Sequence, residues 1–182
     1  MSRSNFNLID IVRIFGGILL FNAILSYWFT SDTTWGYHGK YINWRFYKHK
    51  LLQPQLHLTL DELSEFDGIK KYQILLAING SVFDVTSNWP VYGPKGTYHK
   101  LVAKDASRVF ITGCFMKPDE YTYDMRGLDP EECRSDIKKW QEFFKNHGNY
   151  WYVGEVELNF DVLKNRPPPE PCEHMKFPGM SH

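Results

Sequence analysis

The sequence has few cysteines and no net charge, and each shortage argues against a class of protein. Its three cysteines, Cys114, Cys133 and Cys172, are widely spaced and include no CxxC pair. A zinc site is therefore not expected, at most one intrachain disulfide can form, and the odd count favours a reducing compartment. Basic and acidic residues number 21 each, so a nucleic-acid partner is not expected. No nucleophile–base arrangement or pair of carboxylates in a cleft is recognisable, so no enzyme activity is predicted.

One apolar segment, from Asn7 to Thr30, is long enough to cross a bilayer, which takes about 20 residues. Asp10, Arg13 and Asn22 interrupt it, and the first two are placed to pair across one helical turn. No A-x-A-like cleavage site follows, so an uncleaved anchor is favoured over a signal peptide. The alternatives are a helix that lies on the bilayer and a helix buried in a soluble protein.

The residues that flank this segment predict its orientation. An aromatic cluster of the kind found at membrane interfaces comprises Tyr27, Trp28, Phe29, Trp35 and Tyr37. Basic residues are more frequent on the C-terminal side, where Lys40, Arg45, Lys48 and Lys50 lie, than before the segment, where only Arg3 and the amino terminus lie. The positive-inside rule then places the C-terminal part in the cytosol, by a small margin.

Local signals predict a small α+β domain after the anchor. Thr59 and Glu62 form a capping box for a helix that ends near Gly68, and Asn79-Gly80 joins two short strands as a hairpin. Helices are predicted over 105–113 and 129–148, and a last strand over 150–158. The predicted organisation is a membrane anchor at 1–30, a connector without clear periodicity at 31–57, the domain at 58–158 and a flexible proline-rich tail at 159–182.

The segment Val91–Lys100, VYGPKGTYHK, is unusual for a loop because it carries two tyrosines among glycines and a proline. A tyrosine hydroxyl that is removed from water needs a partner, which can be a carboxylate or a metal. Tyrosine oxygen is a known axial ligand of haem iron. From the residues alone, packing with a solvated hydroxyl is the commoner outcome.

Four stretches resemble the cytochrome b5-like haem/steroid-binding domain of the membrane-associated progesterone receptor family, which includes neuferricin and neudesin. They are LDELSEFDG (60–68), LLAINGSVFDVT (75–86), YGPKGTYHKLVAKDASRVFITG (92–113), and KKWQEFF followed by YWYVGEV. The resemblance covers a little over half of the chain in the same order. It implies a cytochrome b5-like fold preceded by a transmembrane helix.

The resemblance also implies a site. Tyr98 matches the axial tyrosine that binds haem b iron, Tyr92 matches a tyrosine that supports the haem by hydrogen bonding, and Tyr150 matches a third tyrosine. Thr97 stands where members commonly have proline. Asn149 stands where some have a lysine that could pair with a propionate, which implies weaker haem binding.

Three neighbouring residues are weaker candidates. His99 adjoins Tyr98, but adjacent side chains of an extended segment point to different sides, and the HPGG string of ordinary cytochrome b5 is absent. Asp105 is interpreted as a helix cap. Arg108 is interpreted as solvated or paired rather than bound to a propionate.

By resemblance, the predicted function is that of a single-pass haem-binding protein of the endoplasmic reticulum membrane, in contact with membrane lipid. It would support cytochrome P450 or sterol enzymes, or bind a steroid. The alternatives are a haem-free interaction scaffold of the same fold and an electron-transfer cytochrome with His99 as ligand. Asn79-Gly80-Ser81 is also an N-glycosylation acceptor string, although the hairpin turn explains it.

Overall fold

The structure is a computed structural model that describes residues 7–170 and Cys172. It divides into two units, and the boundary between them in the sequence lies between His38 and Gly39. The helices are α1 (Leu8–Thr30), α2 (Trp44–Leu52), α3 (Leu60–Leu63), α4 (Trp89–Tyr92), α5 (Ser107–Thr112), α6 (Pro130–Asn146) and α7 (Asp161–Lys164), and the strands are β1 (Leu56–Leu58), β2 (Leu75–Ile78), β3 (Ser81–Asp84) and β4 (Trp151–Val156).

The first unit consists of α1 and the short segment that follows it, up to His38. α1 has 23 residues, is long and apolar enough to cross a membrane, and buries none of its most apolar window. Arg13 and Asp10 form the predicted pair at 3.6 Å. The polar Asn22 accepts a hydrogen bond from the Trp35 indole at 3.0 Å, so its amide oxygen has a partner within the unit.

The second unit is built on a four-stranded sheet in the order β1-β4-β3-β2. β2 and β3 form the predicted hairpin, and Asn79 and Gly80 take the positive φ values, 48° and 81°, that such a tight turn needs. β4 is antiparallel to β3 and parallel to β1. The last strand of the domain therefore lies at the centre of the sheet.

Alternation along β4 separates two apolar cores. Tyr150 and Tyr152 belong to the core that α5 and α6 cover, whereas Trp151 and Val153 belong to the core on the other face. α3 and Phe46 of α2 pack on that second core. Helices thus cover each face of the sheet, and each face has a separate apolar core.

The two helices that cover the first core follow their sequence signals. Asp129 accepts the backbone N–H groups of Glu131 and Glu132 at the start of α6. The predicted apolar stripe of α6 faces inward: Cys133 and Phe144 are buried, and Ile137 and Trp140 pack on the core. α5 ends at Gly113, whose φ of 69° is the left-handed conformation expected of a glycine stop.

Two predictions about regular structure were wrong. The helix predicted from Thr59 towards Gly68 has its capping box but ends at Leu63. The carbonyl of Phe66 instead accepts the N–H of Leu75 at the start of β2, so sheet pairing overrides helix propensity. The connector 31–57 contains α2, which Asn43 caps by accepting the N–H of Arg45, and also β1.

The tail contains α7 and one end of a disulfide. Cys114, after α5, is bonded to Cys172, and their Cα atoms lie 6.6 Å apart. Cys133 is a buried free thiol. This bond is consistent with the single intrachain disulfide that three cysteines allow. A flexible proline-rich tail is predicted over 159–182. Residues 171 and 173–182 of this tail lie outside the part of the chain that the structure describes.

Candidate functional site

The tyrosine loop is held by its own backbone. α4 begins with Trp89-Pro90, and the N–H of Gly93 donates to the carbonyl of Trp89 at 2.8 Å. The N–H of Tyr98 then donates back to the carbonyl of Val91 at 3.0 Å. These bonds close a compact turn that brings Tyr98 beside Tyr92, six positions earlier in the chain.

Gly96 is required at the inside of this turn. A Cβ atom at position 96 would overlap the backbone carbonyl of Val91, which cannot move without opening the turn. At Gly148 the same Cβ would meet no atom within 4 Å. The glycine spacing of the loop thus has a steric cause.

We expect Gly96→Ala to lower the free energy of unfolding by about 1–3 kcal/mol, the usual cost of overpacking. Gly148→Ala is the matched control and should change it by less than about 0.5 kcal/mol. Chemical denaturation of both variants and the parent measures the difference. Equal stabilities for the two variants would contradict the steric role of Gly96.

Three tyrosines that are distant in sequence meet in one cluster. Tyr92 packs edge-on against Tyr150, with ring centroids 5.7 Å apart, and its ring lies 6.4 Å from that of Tyr98. Tyr92 and Tyr150 are 6% and 4% exposed, whereas Tyr98 is 39% exposed. The structure therefore brings the three predicted site residues together, and of these three phenols Tyr98 is the accessible one.

The two buried hydroxyls differ from that of Tyr98 in their surroundings. Burial raises the pKa of Tyr92 far above its ordinary value, and the neighbouring Tyr150 raises it further. Tyr92 consequently stays a neutral phenol that can donate a hydrogen bond. The Tyr150 oxygen accepts a hydrogen bond from the side-chain amide of Asn88 at 2.7 Å, which fixes the ring.

Aromatic side chains continue the cluster on both sides. The ring of Phe115 lies 5.6 Å from that of Tyr98. On α6 and just after it, Phe143 contacts His147, whose imidazole stacks on Tyr150 at 3.9 Å. Burial and then the charge of Lys40 lower the pKa of His147, which favours the neutral ring. Aromatic rings therefore extend the tyrosine cluster on both sides.

Two of the weaker candidates, His99 and Asp105, contact backbone groups of the domain. The Nδ1 atom of His99 lies 3.0 Å from the carbonyl oxygen of Tyr92, so this nitrogen is engaged with the backbone. Asp105 accepts the N–H groups of Gly80 and of Ser107, the first residue of α5. The capping interpretation of Asp105 is thus supported by its bond to Ser107, although Ala106 holds the N-cap position itself.

Arg108 was interpreted as either solvated or paired, and it is paired with Glu120. It is 1% exposed, and its Nε atom donates to the carboxylate of Glu120 at 3.1 Å. Its Nη1 atom donates to the carbonyls of Asp124 and Arg126. All of these bonds are internal, so Arg108 organises the segment after α5 and has no exposed surface for a ligand.

The residues of the cluster fit a haem. An accessible phenol oxygen at the edge of an aromatic cluster is a suitable ligand for haem iron, and the aromatic rings would suit the flat apolar porphyrin. Among the described residues, no group of three or more His, Cys, Asp or Glu side chains is placed to hold a metal ion by itself. Of the three clustered tyrosines, Tyr98 is the most exposed and is the one that would hold the iron.

Sequence reasoning missed three members of this site. Asn88, which holds Tyr150, and His147, which stacks on it, carry no local signal that distinguishes them from a turn residue and a helix-end residue. Phe115 was likewise not predicted, because it follows the glycine stop of α5. Only the packing of the loop against α6 brings these residues to the tyrosines.

Known proteins share this domain. Residues 59–157 match the family described as "Cytochrome b5-like Heme/Steroid binding domain". The human membrane-associated progesterone receptor component 2 is 40% identical over 101 residues, which are 54% of this chain and 44% of the relative. Neuferricin of Danio rerio is 36% identical over 115 residues, which are 63% of this chain and 42% of the relative.

A solved structure of an Arabidopsis thaliana protein, described as having a cytochrome b5-like fold, is 30% identical with a TM-score of 0.49, and the match covers 57% of this chain and 93% of that one. The matches with the curated relatives extend over about half of the length of those proteins. The family match itself covers more than half of this chain, from the capping box of α3 to the end of β4. The chain therefore belongs to the cytochrome b5-like haem/steroid-binding domain family, whose members similar to it include membrane-associated progesterone receptor components and neuferricin.

Proposed function

We propose that this protein is a membrane-anchored haem-binding protein of the progesterone receptor component type. The observation that carries the proposal is the position of Tyr98. Tyr98 is 39% exposed, and its ring lies against those of Phe115 and the buried Tyr92. An absorption spectrum of the protein with added ferric haem, for the parent and for Tyr98→Phe, tests it.

Each tyrosine has a separate task in this proposal. Bound haem supplies a ferric iron and a flat apolar ring. The Tyr98 oxygen is a hard anionic donor once it loses its proton, and it favours ferric over ferrous iron. Tyr92 keeps its proton because burial raises its pKa, so it can donate a hydrogen bond. Tyr150 holds the ring of Tyr92 by edge-on packing.

The family supports a binding role. The relatives include a membrane-associated progesterone receptor component and neuferricin, so we propose that this chain also binds and does not catalyse. We propose that it supports haem- or sterol-related enzymes at the endoplasmic reticulum membrane; a cytochrome P450 would be its partner only for a cytosolic domain. A steroid is the second ligand that the family description suggests.

A haem-free scaffold of the same fold is the second candidate. Asn149 favours it, because it stands in place of a lysine, and its N–H is used to donate to His147 at 3.1 Å. The absence of a Soret band from the parent protein after addition of haem would support this candidate. A sharp low-spin spectrum would instead indicate ligation by histidine.

For the compartment, we propose the lumen of the endoplasmic reticulum. The charge pattern predicts a cytosolic domain, but its margin is small, and the Cys114–Cys172 disulfide favours an oxidising compartment. The side chain of Asn79 is exposed at the tip of the hairpin. A luminal domain would therefore present its acceptor string to the glycosylation machinery.

We expect the parent protein in microsomes to carry a glycan that endoglycosidase removes and that Asn79→Gln abolishes. Without reductant, a thiol reagent should label one cysteine of the denatured protein, Cys133. Ser81→Ala is the second acceptor-site variant and should match Asn79→Gln. Three reactive thiols and no glycan would contradict this proposal and support the cytosolic orientation.

A further inference from the structure

The face of the sheet opposite the tyrosines contains a buried donor without an acceptor. Trp151 in β4 is 3% exposed, and its indole Nε1 has no hydrogen-bond partner among the described residues. A buried polar group without a partner costs about 1–3 kcal/mol, so such groups are uncommon in folded proteins. An acceptor from outside the chain that reached the indole N–H would remove this cost.

Two cavities meet at this tryptophan. The larger has a volume of about 410 Å³ and lies between α2 and the end of α6. The other, of about 330 Å³, continues along the other side of α2 towards Val153. Phe46 of α2 packs edge-on against Trp151 at 5.7 Å and contributes to the wall of the larger cavity.

The charged side chains that line the larger cavity are all basic. They are Lys40, Lys50 and Lys145, together with the titratable His49. Lys40 is 6% exposed, and its ammonium donates to the carbonyl of Lys145 at 2.8 Å. Burial lowers the pKa of this ammonium, and no carboxylate among the described residues contributes to the shift.

A buried ammonium that lacks a counter-ion is costly unless an anion reaches it. Lys40 supplies donors in addition to the one that Lys145 accepts, and Trp151 supplies an indole N–H. Tyr41, Phe46 and Tyr152 give the cavity aromatic walls. The arrangement of several donors, positive charge and apolar walls matches the oxygen atoms of a phosphate ester with an attached organic group.

We propose that the larger cavity is a second ligand site that binds a phosphate group, with Lys40 and Trp151 as its donors. The cavity lies at the end of α6 and includes both Trp151, on the face opposite the tyrosine cluster, and Tyr152, on the same face as that cluster. The phosphate belongs either to a phospholipid headgroup or to a soluble phosphoester. In the chain, Lys40 to Lys50 follow the predicted membrane span, which makes the headgroup the first source to test.

The test uses the full chain in discs of zwitterionic lipid, with the Trp151 indole resonance of a ¹⁵N-labelled sample assigned through Trp151→Phe. We expect inorganic phosphate, or an anionic phospholipid in the disc, to move the indole proton downfield as it becomes a hydrogen-bond donor. A shift with phospholipid alone identifies a headgroup. A shift with free phosphate as well shows that the phosphate group is sufficient.

Lys40→Gln should weaken the binding by at least about tenfold, because it removes a charge-assisted hydrogen bond. Lys138→Gln removes an equal charge from the exposed face of α6, outside both cavities, and should leave the affinity unchanged. An indole resonance that neither phosphate source moves would overturn the proposal. Equal weakening in both lysine variants would also overturn it, since that result indicates non-specific attraction. Thermal unfolding checks that each variant is folded.

Discussion

Tyr98→Phe should abolish the high-spin spectrum of a ferric haem bound by tyrosinate. It should also weaken haem binding by at least about 10- to 100-fold, the loss that removal of an outer-shell partner alone produces at a metal site. The reason is that phenylalanine keeps the ring contacts with Tyr92 and Phe115 but removes the only accessible phenol oxygen of the three clustered tyrosines. Titration with ferric haem, followed by absorption spectroscopy, measures both effects.

The matched control is Tyr72→Phe, which makes the same chemical change at a side chain that is 71% exposed and stacked on Trp89. It should leave the spectrum and the affinity as in the parent. Tyr92→Phe should retain the iron–tyrosinate absorption, because its hydroxyl stays protonated and acts only as a donor. An iron spectrum that survives in Tyr98→Phe would remove Tyr98 from the site.

Glu120→Ala should lower the free energy of unfolding by about 3–5 kcal/mol, the cost of breaking a buried ion pair. Glu120 and Arg108 are both 1% exposed, and the carboxylate also accepts the hydroxyl of Thr112 at 2.6 Å. Removing the carboxylate leaves a guanidinium that is sealed from water without a counter-ion. Chemical denaturation followed by circular dichroism measures the loss.

Glu131→Ala is the control for this change. Glu131 pairs with Arg134 at a similar distance, 2.8 Å, but the two side chains are 79% and 73% exposed. Water solvates both partners there, so the expected loss is below about 1 kcal/mol. Losses of equal size for Glu120→Ala and Glu131→Ala would show that burial does not control the contribution of the pair.

Local chemistry predicted the parts of the fold whose signals lie within a few residues. The Asn79-Gly80 hairpin, the Asp129 cap of α6 and the Gly113 stop of α5 are where the sequence predicts them. Each is set by one backbone conformation or one cap, and these depend on the residue itself. The end of α3 was not predictable in this way, since pairing with the start of β2 decides it.

The sequence by itself determined the apolar segment, the α+β domain, the family and the three tyrosines that the family pattern marks. Only the tertiary structure decided that Tyr98 is exposed while Tyr92 and Tyr150 are buried, that Arg108 is sealed with Glu120, and that Trp151 lies on the opposite face beside Lys40. The physical reason is that burial and charge pairing depend on residues far apart in the chain. Asn88 and Tyr150, or Lys40 and Lys145, become neighbours only when the sheet and its helices pack.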